Sequence, residues 1–133
     1  MINLIGMGGE PASGKTTLFR KFIGQFGDAW GAAKWKTLQW QEHYGNKIIV
    51  LGNYEEGTFG GTDRLSMSVQ PVAVKAIQSW AKDASYDKWT ILFEGDRLFN
   101  ASFLKTVEGI MGIAPRWVIL KAKEPELHRR HQE

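Results

Sequence analysis

The hydrophobic pattern near the start of the chain predicts a strand followed by a helix. Residues 2–7 form a short apolar run bounded by glycine, which is typical of a buried strand in a parallel sheet. Between residues 15 and 26 the apolar side chains recur at spacings of three and four. We therefore expect an amphipathic helix that ends near Gly27. Residues 27–33 are expected to form a loop.

A hairpin is predicted next. Residues 36–42 alternate in part between polar and apolar side chains, and residues 47–51 are strongly apolar. Between them, Tyr44-Gly45-Asn46 is a turn signal. The two segments therefore predict a pair of strands that leads into the sheet.

The second half of the chain alternates between predicted helices and strands. The predicted elements are a helix that begins near Pro71, a strand at 89–93 ending at Glu94, a helix at 102–111, a strand at 117–120 and a helix from 124. Such alternation is typical of an α/β fold with a mainly parallel sheet. We expect about four or five strands with flanking helices, in a single domain over residues 1–133.

Composition narrows the class of protein. The chain has 133 residues, of which 43% are hydrophobic and 23% charged, the balance of an ordinary globular domain. It has no cysteine, which excludes disulfides and thiolate metal sites. No run reaches the length of a membrane helix and no signal peptide is visible, so we expect a cytoplasmic protein without a membrane partner.

The net charge of the chain says little about its binding partners. The net charge of +3 permits a nucleic-acid partner without arguing strongly for one. The six tryptophans are many for this length, and most are expected to serve packing. A few are candidates for stacking against bases.

Residues 8–17 (GGEPASGKTT) contain the strongest functional motif. The stretch from Gly9 to Thr16 fits G-x-x-x-x-G-K-[ST] at every fixed position, after a predicted strand and before a predicted helix. Glycines let backbone amides approach phosphate, and the helix adds its positive dipole end. The motif predicts binding of a nucleoside triphosphate, with Lys15 on the β- and γ-phosphates and Thr16 on Mg²⁺. The predicted nucleotide-binding residues are Gly9, Ala12, Ser13, Gly14, Lys15, Thr16 and Thr17.

A dinucleotide-binding glycine fingerprint is excluded. Counted from Gly6, the last fixed position of G-x-G-x-x-G is occupied by Pro11.

Two acidic segments are candidates for the chemistry of transfer. In residues 60–66, Asp63 is a candidate base and Arg64 a candidate phosphate contact, the alternative being a capping Asp beside a solvated Arg. In the second segment, Glu94 follows an apolar strand, the place where Mg²⁺ or its water is held beside a phosphate loop. Asp96 and Arg97 lie just beyond it and are candidate acceptor contacts.

The basic segment near the end of the chain is a third candidate. On a helix Arg129 and Arg130 point to different sides, so one of them can reach a transferred phosphate. The alternative is a solvated basic tail. His128 and His131 have a spacing that permits metal binding, but no further ligand is near, so a metal site there is disfavoured.

The combination of the phosphate loop, the stretch FGGTDRLSM at 59–67 and the strand ending FEGDR at 93–97 resembles a known family. It is similar to the bacteriophage P-loop kinases that phosphorylate 5-hydroxymethyluracil in DNA, within the wider set of polynucleotide, nucleoside and nucleotide kinases. The resemblance covers nearly all of the chain. It implies ATP and Mg²⁺ as cofactors, DNA containing a modified base as partner, and the cytoplasm of an infected bacterium as location.

The resemblance also implies roles for individual residues. Asp63 would be the base and Arg64 an acceptor-side contact, with Glu94 as the rival base. Arg129 and Arg130 would open a lid segment that stabilises charge on the moving phosphoryl group. Since the family's lid helix continues further than this chain does, we expect either a minimal form or a fragment that lacks half of the lid and the adenine pocket.

Two alternatives stay open at this stage. One is a kinase for a free nucleoside or nucleotide, and the other is a module that binds or hydrolyses a nucleotide without a phosphoryl acceptor. If the acceptor is a base in a duplex, that base must leave the stack to be reached. Tyr54, Phe59 and Trp40 are then the candidate stacking partners.

Overall fold

A computed structural model describes residues 1–9, 14–54 and 68–121 of the chain. In chain order the elements are β1 (Ile2–Gly9), α1 (Lys15–Gly24), β2 (Gly31–Trp35), β3 (Leu38–His43), β4 (Ile48–Leu51), α2 (Val69–Lys82), β5 (Thr90–Glu94), α3 (Ala101–Glu108) and β6 (Ile113–Leu120). Short 3₁₀ turns lie at Tyr44–Asn46 and Ala84–Tyr86. Among the described residues, no helix combines the length and the apolar content that crossing a membrane requires.

The six strands form one mixed sheet in the order β2-β3-β4-β5-β1-β6. Neighbours among β4, β5, β1 and β6 pair in parallel, whereas β3 pairs antiparallel with both β2 and β4. The fold is therefore α/β, as predicted, and the predicted hairpin is present as β3 and β4 around the turn at Tyr44–Asn46.

The predicted number of strands was too low. Residues 31–35 form β2, although 27–33 were expected to be a loop, because Gly31, Ala32 and Ala33 carry no apolar alternation. This strand forms through its ladder with β3, from the pair Gly31–Glu42 to the pair Trp35–Leu38. Pairing with a neighbour outweighs weak local preference here, as is common for strands.

The last described strand also begins earlier than predicted. It starts at Ile113 and contains Pro115, which was expected to precede it. Proline lacks an N–H donor and is tolerated in a strand at the margin of a sheet. The position of β6 at the end of the strand order satisfies that condition.

Helices cover both faces of the sheet. On one face α2 and α3 pack on a core that includes Leu4, Ile77, Phe93 and Phe103, all fully buried. On the other face α1 contributes Phe19, which packs with Ile48 and Val50. Full burial of one such side chain stabilises the fold by about 1.5–3 kcal/mol.

One end of the sheet concentrates the features that matter for function. The four parallel strands finish there, and we call it the carboxyl end of the sheet. Because β3 runs against β4, with Trp40 opposite Leu51, the turn between β2 and β3 lies at this same end. Side chains that follow β1, β4 and β5, and those of the turn between β2 and β3, therefore all lie at the carboxyl end of the sheet.

Candidate active site

The candidate active site begins where β1 and β5 end side by side. These strands are parallel neighbours, and their ladder places Met7 opposite Glu94. The phosphate-loop motif starts at Gly9, just beyond this pair, and its last residues open α1 at Lys15. The motif and the carboxylate thus meet because the two strands are adjacent in the sheet.

The entry into α1 has the backbone geometry that the motif requires. Gly14, the residue before the helix, has φ 91°, a left-handed conformation that strains any residue with a Cβ. The first N–H groups of a helix have no partner within the helix and face whatever precedes it. The Lys15 ammonium donates a hydrogen bond to the Gly9 carbonyl at 3.1 Å, so its charge lies beside the end of β1.

Glu94 collects hydrogen bonds from two other elements. Its side chain is only 1% exposed, and its Oε1 accepts from the Thr16 hydroxyl at 3.2 Å and from the Tyr54 hydroxyl at 3.1 Å. The Tyr54 ring in turn stacks on Phe19 of α1, with ring centroids 5.9 Å apart and planes at 23°. A buried carboxylate is stable only with such partners, and the partners hold it in one orientation.

The Thr16 hydroxyl and the Glu94 carboxylate are oxygen ligands of the kind that Mg²⁺ takes. Magnesium takes oxygen ligands in an octahedron at about 2.0–2.1 Å, so two neighbouring ligand oxygens are about 2.9 Å apart. The Thr16 and Glu94 oxygens are already 3.2 Å apart. Mg²⁺ also keeps waters and phosphate oxygens as ligands and therefore needs few protein groups. The described residues contain no cluster of three or more His, Cys, Asp or Glu side chains able to hold a metal.

Two glycines outside the fixed motif positions shape the site from below. A Cβ at Gly6 would lie 2.5 Å from the tip of the Phe93 ring, and one at Gly8 would lie 2.2 Å from the Phe99 ring. Both glycines lie on the face of β1 that packs on the aromatic core. Their alternate spacing along β1 is a signal in the sequence, but the phosphate-loop motif does not include it.

The structure brings together five of the predicted site residues, namely Gly9, Gly14, Lys15, Thr16 and Glu94. Thr17 lies in the first turn of α1 and is exposed.

Asp96 and Arg97 follow Glu94 in the turn that begins at Gly95, whose φ is 103°. Their carbonyls accept hydrogen bonds from the Asn100 side chain at 3.4 and 3.3 Å, which ties this turn to the start of α3.

The remaining predicted site residues lie outside the described ranges. They are Ala12, Ser13, Asp63, Arg64, Arg129 and Arg130, together with the candidate stacking residue Phe59 and the two histidines His128 and His131.

The other two candidate stacking residues have different surroundings. Tyr54 is the partner of Glu94, a role that the sequence did not suggest. The Trp40 ring packs edge-on against Trp80, with centroids 5.2 Å apart, and its Nε1 donates to the Glu42 carboxylate at 3.0 Å. Trp40 therefore serves the core beneath α2.

Glu42 is a second buried carboxylate, and it lies away from the candidate active site. It accepts hydrogen bonds from Trp40 and from the Tyr86 hydroxyl at 3.2 Å. Burial of the phenol, followed by the nearby negative charge of Glu42, raises the pKa of Tyr86 well above its usual value. The hydrogen bond with Glu42 is the main cause that raises the pKa of Tyr44.

A groove of about 280 Å³ lies next to the site, on the side of strands β2 and β3. Its lining includes Lys34, Gln39 and Gln41 from the hairpin and Asn53 and Tyr54 from the segment after β4. Tyr54 lines this groove and donates a hydrogen bond to Glu94, so it links the groove to the carboxylate.

Comparison with known proteins adds no relative to this description. No family model, no curated protein and no solved structure matches the chain.

Proposed function

We propose that this protein is a P-loop kinase that transfers the γ-phosphoryl group of ATP to a hydroxyl group. The observation that carries the proposal is the contact between Thr16 and Glu94, residues that are 78 positions apart in the chain. It joins the end of the phosphate-loop motif to a carboxylate on the neighbouring parallel strand. P-loop proteins hold Mg²⁺ with this pair of groups, a motif Ser or Thr and an acidic residue at a strand end.

A P-loop fold is part of the proposal. The parallel order β4-β5-β1-β6 supports it, since the motif follows β1, a strand with a parallel neighbour on each side. Ligands of open α/β sheets bind beyond the carboxyl ends of the strands. The Lys15, Thr16 and Glu94 side chains all lie at that end.

The residues divide the work as follows in this proposal. Lys15 and the first amides of α1 hold the phosphates, and Thr16 and Glu94 hold Mg²⁺. When bound, Mg²⁺ supplies positive charge that stabilises the phosphate oxygens. Tyr54 keeps the Glu94 carboxylate oriented through its hydrogen bond.

Asp63 is proposed as the base that acts on the acceptor. The acceptor oxygen bonds to the γ-phosphorus, the bond from that phosphorus to its bridging oxygen breaks, the hydroxyl proton passes to Asp63, and ADP leaves. Arg64, Asp96 and Arg97 are proposed to contact the acceptor, and Arg129 and Arg130 to stabilise charge on the moving group. Glu94, which already bonds to Thr16 and Tyr54, is assigned to the metal rather than to the proton.

The proposed acceptor is the hydroxymethyl group of 5-hydroxymethyluracil in DNA, and this choice depends on the resemblance of the motifs. The direct test incubates the protein with Mg²⁺, γ-labelled ATP and either DNA containing the modified base or the free nucleoside. We expect label in the DNA. Label in the monomer alone would replace the proposal by a nucleoside kinase, and label in inorganic phosphate alone would replace it by a nucleotide hydrolase.

Three substitutions test the assigned roles in the same assay. Lys15→Ala should abolish ATP binding and transfer, whereas Lys21→Ala, on the exposed side of the same helix, should change neither. Asp63→Asn should keep ATP binding and lose transfer. Glu94→Gln should lower transfer or Mg²⁺ affinity by about 10- to 100-fold, because the carboxylate charge beside the metal is gone. Unchanged Mg²⁺ dependence in Glu94→Gln would contradict the metal assignment.

A further inference from the structure

The turn between β2 and β3 presents an unusual surface, which we call the hairpin tip and define as Lys34, Trp35 and Lys36. All three residues are exposed, and the Trp35 side chain is 38% accessible. The Lys36 ammonium lies 5.0 Å from the centroid of the Trp35 ring, within the range of a cation–π contact. A large, partly exposed aromatic ring thus lies beside the positive charge of Lys36, and Lys34 points to the opposite face of β2.

The backbone of the hairpin tip holds a lysine in a conformation that suits glycine better. Lys36 has φ 54°, in the left-handed region that glycine occupies without cost. Hairpin turns of two residues normally place Gly or Asn at such positions. The chain therefore carries a cation at a point where local stability favours glycine.

Two of the described segments, one containing the hairpin tip and one containing α2, carry lysines and no carboxylate. The sequence has no Asp or Glu from residue 29 to residue 41, and none from residue 68 to residue 82, which includes all of α2. Lys75 of α2 lines a hollow of about 250 Å³ together with Trp35. Segments with lysine and no carboxylate attract a polyanion.

The hairpin tip lies at the same end of the sheet as the candidate active site. The Gly52 amide donates to the Gln39 carbonyl at 2.8 Å, and the Asn53 side chain donates to that of Gln39 at 3.0 Å. The next residue, Tyr54, bonds to Glu94. Lys34 and Tyr54 both line the groove of about 280 Å³, so one groove links a residue of the tip to the partner of Glu94.

We propose that the hairpin tip and Lys75 bind a single-stranded segment of nucleic acid. The Trp35 ring stacks on a base, Lys36 and Lys75 contact the phosphates beside it, and Lys34 continues the basic surface to the other face of β2. Single-strand binding sites combine these two features, a basic track and aromatic platforms. The inference rests on the proposed function in one respect, because it makes the acceptor a polymer and assigns the surface that holds it.

The test measures binding of a fluorescent oligothymidylate of about 12 nucleotides by anisotropy, without ATP. A probe of equal length and charge that lacks bases is measured in parallel. Trp35→Ala should weaken oligothymidylate binding about tenfold and leave the abasic probe nearly unchanged, since stacking is lost and charge is kept. Trp35→Phe should recover part of the loss, which controls for a change in folding.

The lysines are tested by charge and by a matched position on one helix. Lys36→Gly should weaken binding of both probes and reduce the dependence of log K on log salt by about one, while the unfolding temperature stays at or above that of the wild type. Lys75→Gln should weaken binding severalfold. Lys82→Gln removes the same charge seven residues further along α2, about 10 Å away, and should have no effect.

Several results would overturn the inference. Equal loss in Lys75→Gln and Lys82→Gln would show a response to net charge alone, and equal binding of the two probes by the wild type would exclude stacking. Displacement of the oligonucleotide by polyglutamate at equal charge would indicate a surface for acidic peptides. Phosphoryl transfer to a free nucleoside by a wild type that binds no oligonucleotide would overturn the surface and leave a kinase. Oligonucleotide binding without phosphoryl transfer to any acceptor would support the nucleic-acid surface and overturn the proposed kinase function.

Discussion

Gly6 and Gly8 allow two aromatic rings to lie directly against β1. The rings of Phe93 and Phe99 occupy the space where a Cβ would project from these glycines. Phe93 is fully buried and contacts Phe103 at 5.5 Å, so it has little room to retreat. Phe99 belongs to the turn after Glu94, and Gly8 therefore helps to set how closely that turn approaches the end of β1.

Gly8→Ala is expected to destabilise the protein by about 2 kcal/mol or more, because an added Cβ would lie 2.2 Å from the Phe99 ring. Urea unfolding at neutral pH measures the change. Gly24→Ala is the matched control: it lies at the end of α1 with nothing within 4 Å of the added Cβ. That change should be neutral or stabilise by up to about 1 kcal/mol. A neutral Gly8→Ala would contradict the close packing.

The two buried glutamates show how surroundings separate function from structure. Glu94 lies at the carboxyl end of the sheet and bonds to a motif residue and to a tyrosine beside an open groove. Glu42 is bonded to a tryptophan and a tyrosine that pack in or against the core. The residue type is the same, but of the two it is Glu94 that bonds to a residue of the phosphate-loop motif.

At the scale of elements, α3 begins after Asn100, whose side chain accepts a hydrogen bond from an amide of the first turn. Asn100 Oδ1 accepts a hydrogen bond from the Phe103 amide at 3.0 Å, the usual arrangement of a helix N-cap. Its amide group also donates to the Gln70 side chain of α2 at 3.3 Å. Asn100 thus fixes both the start of α3 and the turn that carries Asp96 and Arg97.

Asn100→Ala is expected to lower the free energy of unfolding by about 1 kcal/mol, through loss of the cap. Thermal or chemical unfolding measures the effect. Asn100→Ser keeps an oxygen that can cap the helix and should recover most of the loss. Equal destabilisation by alanine and serine would show that the amide contacts, rather than the cap, carry the stability.

The strand β2 shows how far an element depends on its neighbour. Its sequence, GAAKW, has little strand preference, and four of its five residues are exposed. It is held by the ladder with β3, which is itself anchored by the buried Leu38. Without this strand Lys34 would not line the groove and Trp35 would not line the hollow that contains Lys75, so the proposed nucleic-acid surface depends on the pairing of β2 with β3.

At the scale of the whole molecule, the sheet has two parts with different roles. The four parallel strands carry the phosphate loop and Glu94, and the antiparallel pair β2 and β3 extends the sheet beyond β4. The cluster of Trp40, Glu42 and Tyr86 lies where β3 meets the segments after α2. Because the pKa of Tyr86 in this cluster is raised by the fold, ionisation of its phenol is coupled to unfolding.

Stability is expected to fall as pH rises above about 10, and Tyr86 contributes to that fall. Its pKa is raised in the folded state, first by burial and then by Glu42. The unfolded chain therefore loses the phenol proton first, and the stabilising contribution, complete below the unfolded pKa, is lost as pH rises towards the folded one. Tyr86→Phe should make the alkaline decline in urea stability less steep.

The wild type and Tyr86→Phe are compared at each pH, so that the contributions of the lysines and arginines they share to the alkaline decline cancel. The Tyr86→Phe variant keeps an aromatic ring to pack on Trp89, whose ring centroid lies 4.8 Å from that of Tyr86, so the variant should stay folded at neutral pH. Parallel declines in wild type and variant above about pH 10 would contradict the raised pKa.

The sequence predicted most of the elements and part of the site. Apolar runs and helical periodicity located β1, α1, α2 and β5, because these patterns record burial that any fold must satisfy. The hairpin of β3 and β4 followed from its turn residues. The motif identified Gly9, Gly14, Lys15 and Thr16, whose types are dictated by local backbone geometry and phosphate chemistry.

Other features required the tertiary structure. The strand β2, the close approach of Phe99 to Gly8, and the bond from Tyr54 to Glu94 all join segments far apart in the chain. No local pattern specifies which strands become neighbours, and therefore none specifies which side chains meet.

By itself, then, the sequence determined the α/β class and the phosphate-loop motif, because periodicity and backbone chemistry are local properties. Only the tertiary structure decided that Thr16 and Tyr54 share one oxygen of Glu94, and that a basic hairpin tip stands at the same end of the sheet. The physical reason is the strand order. Because β5 lies beside β1, Glu94 meets Thr16 at the start of α1, and because β3 lies beside β4, Lys34 of the hairpin tip lines the same groove as Tyr54.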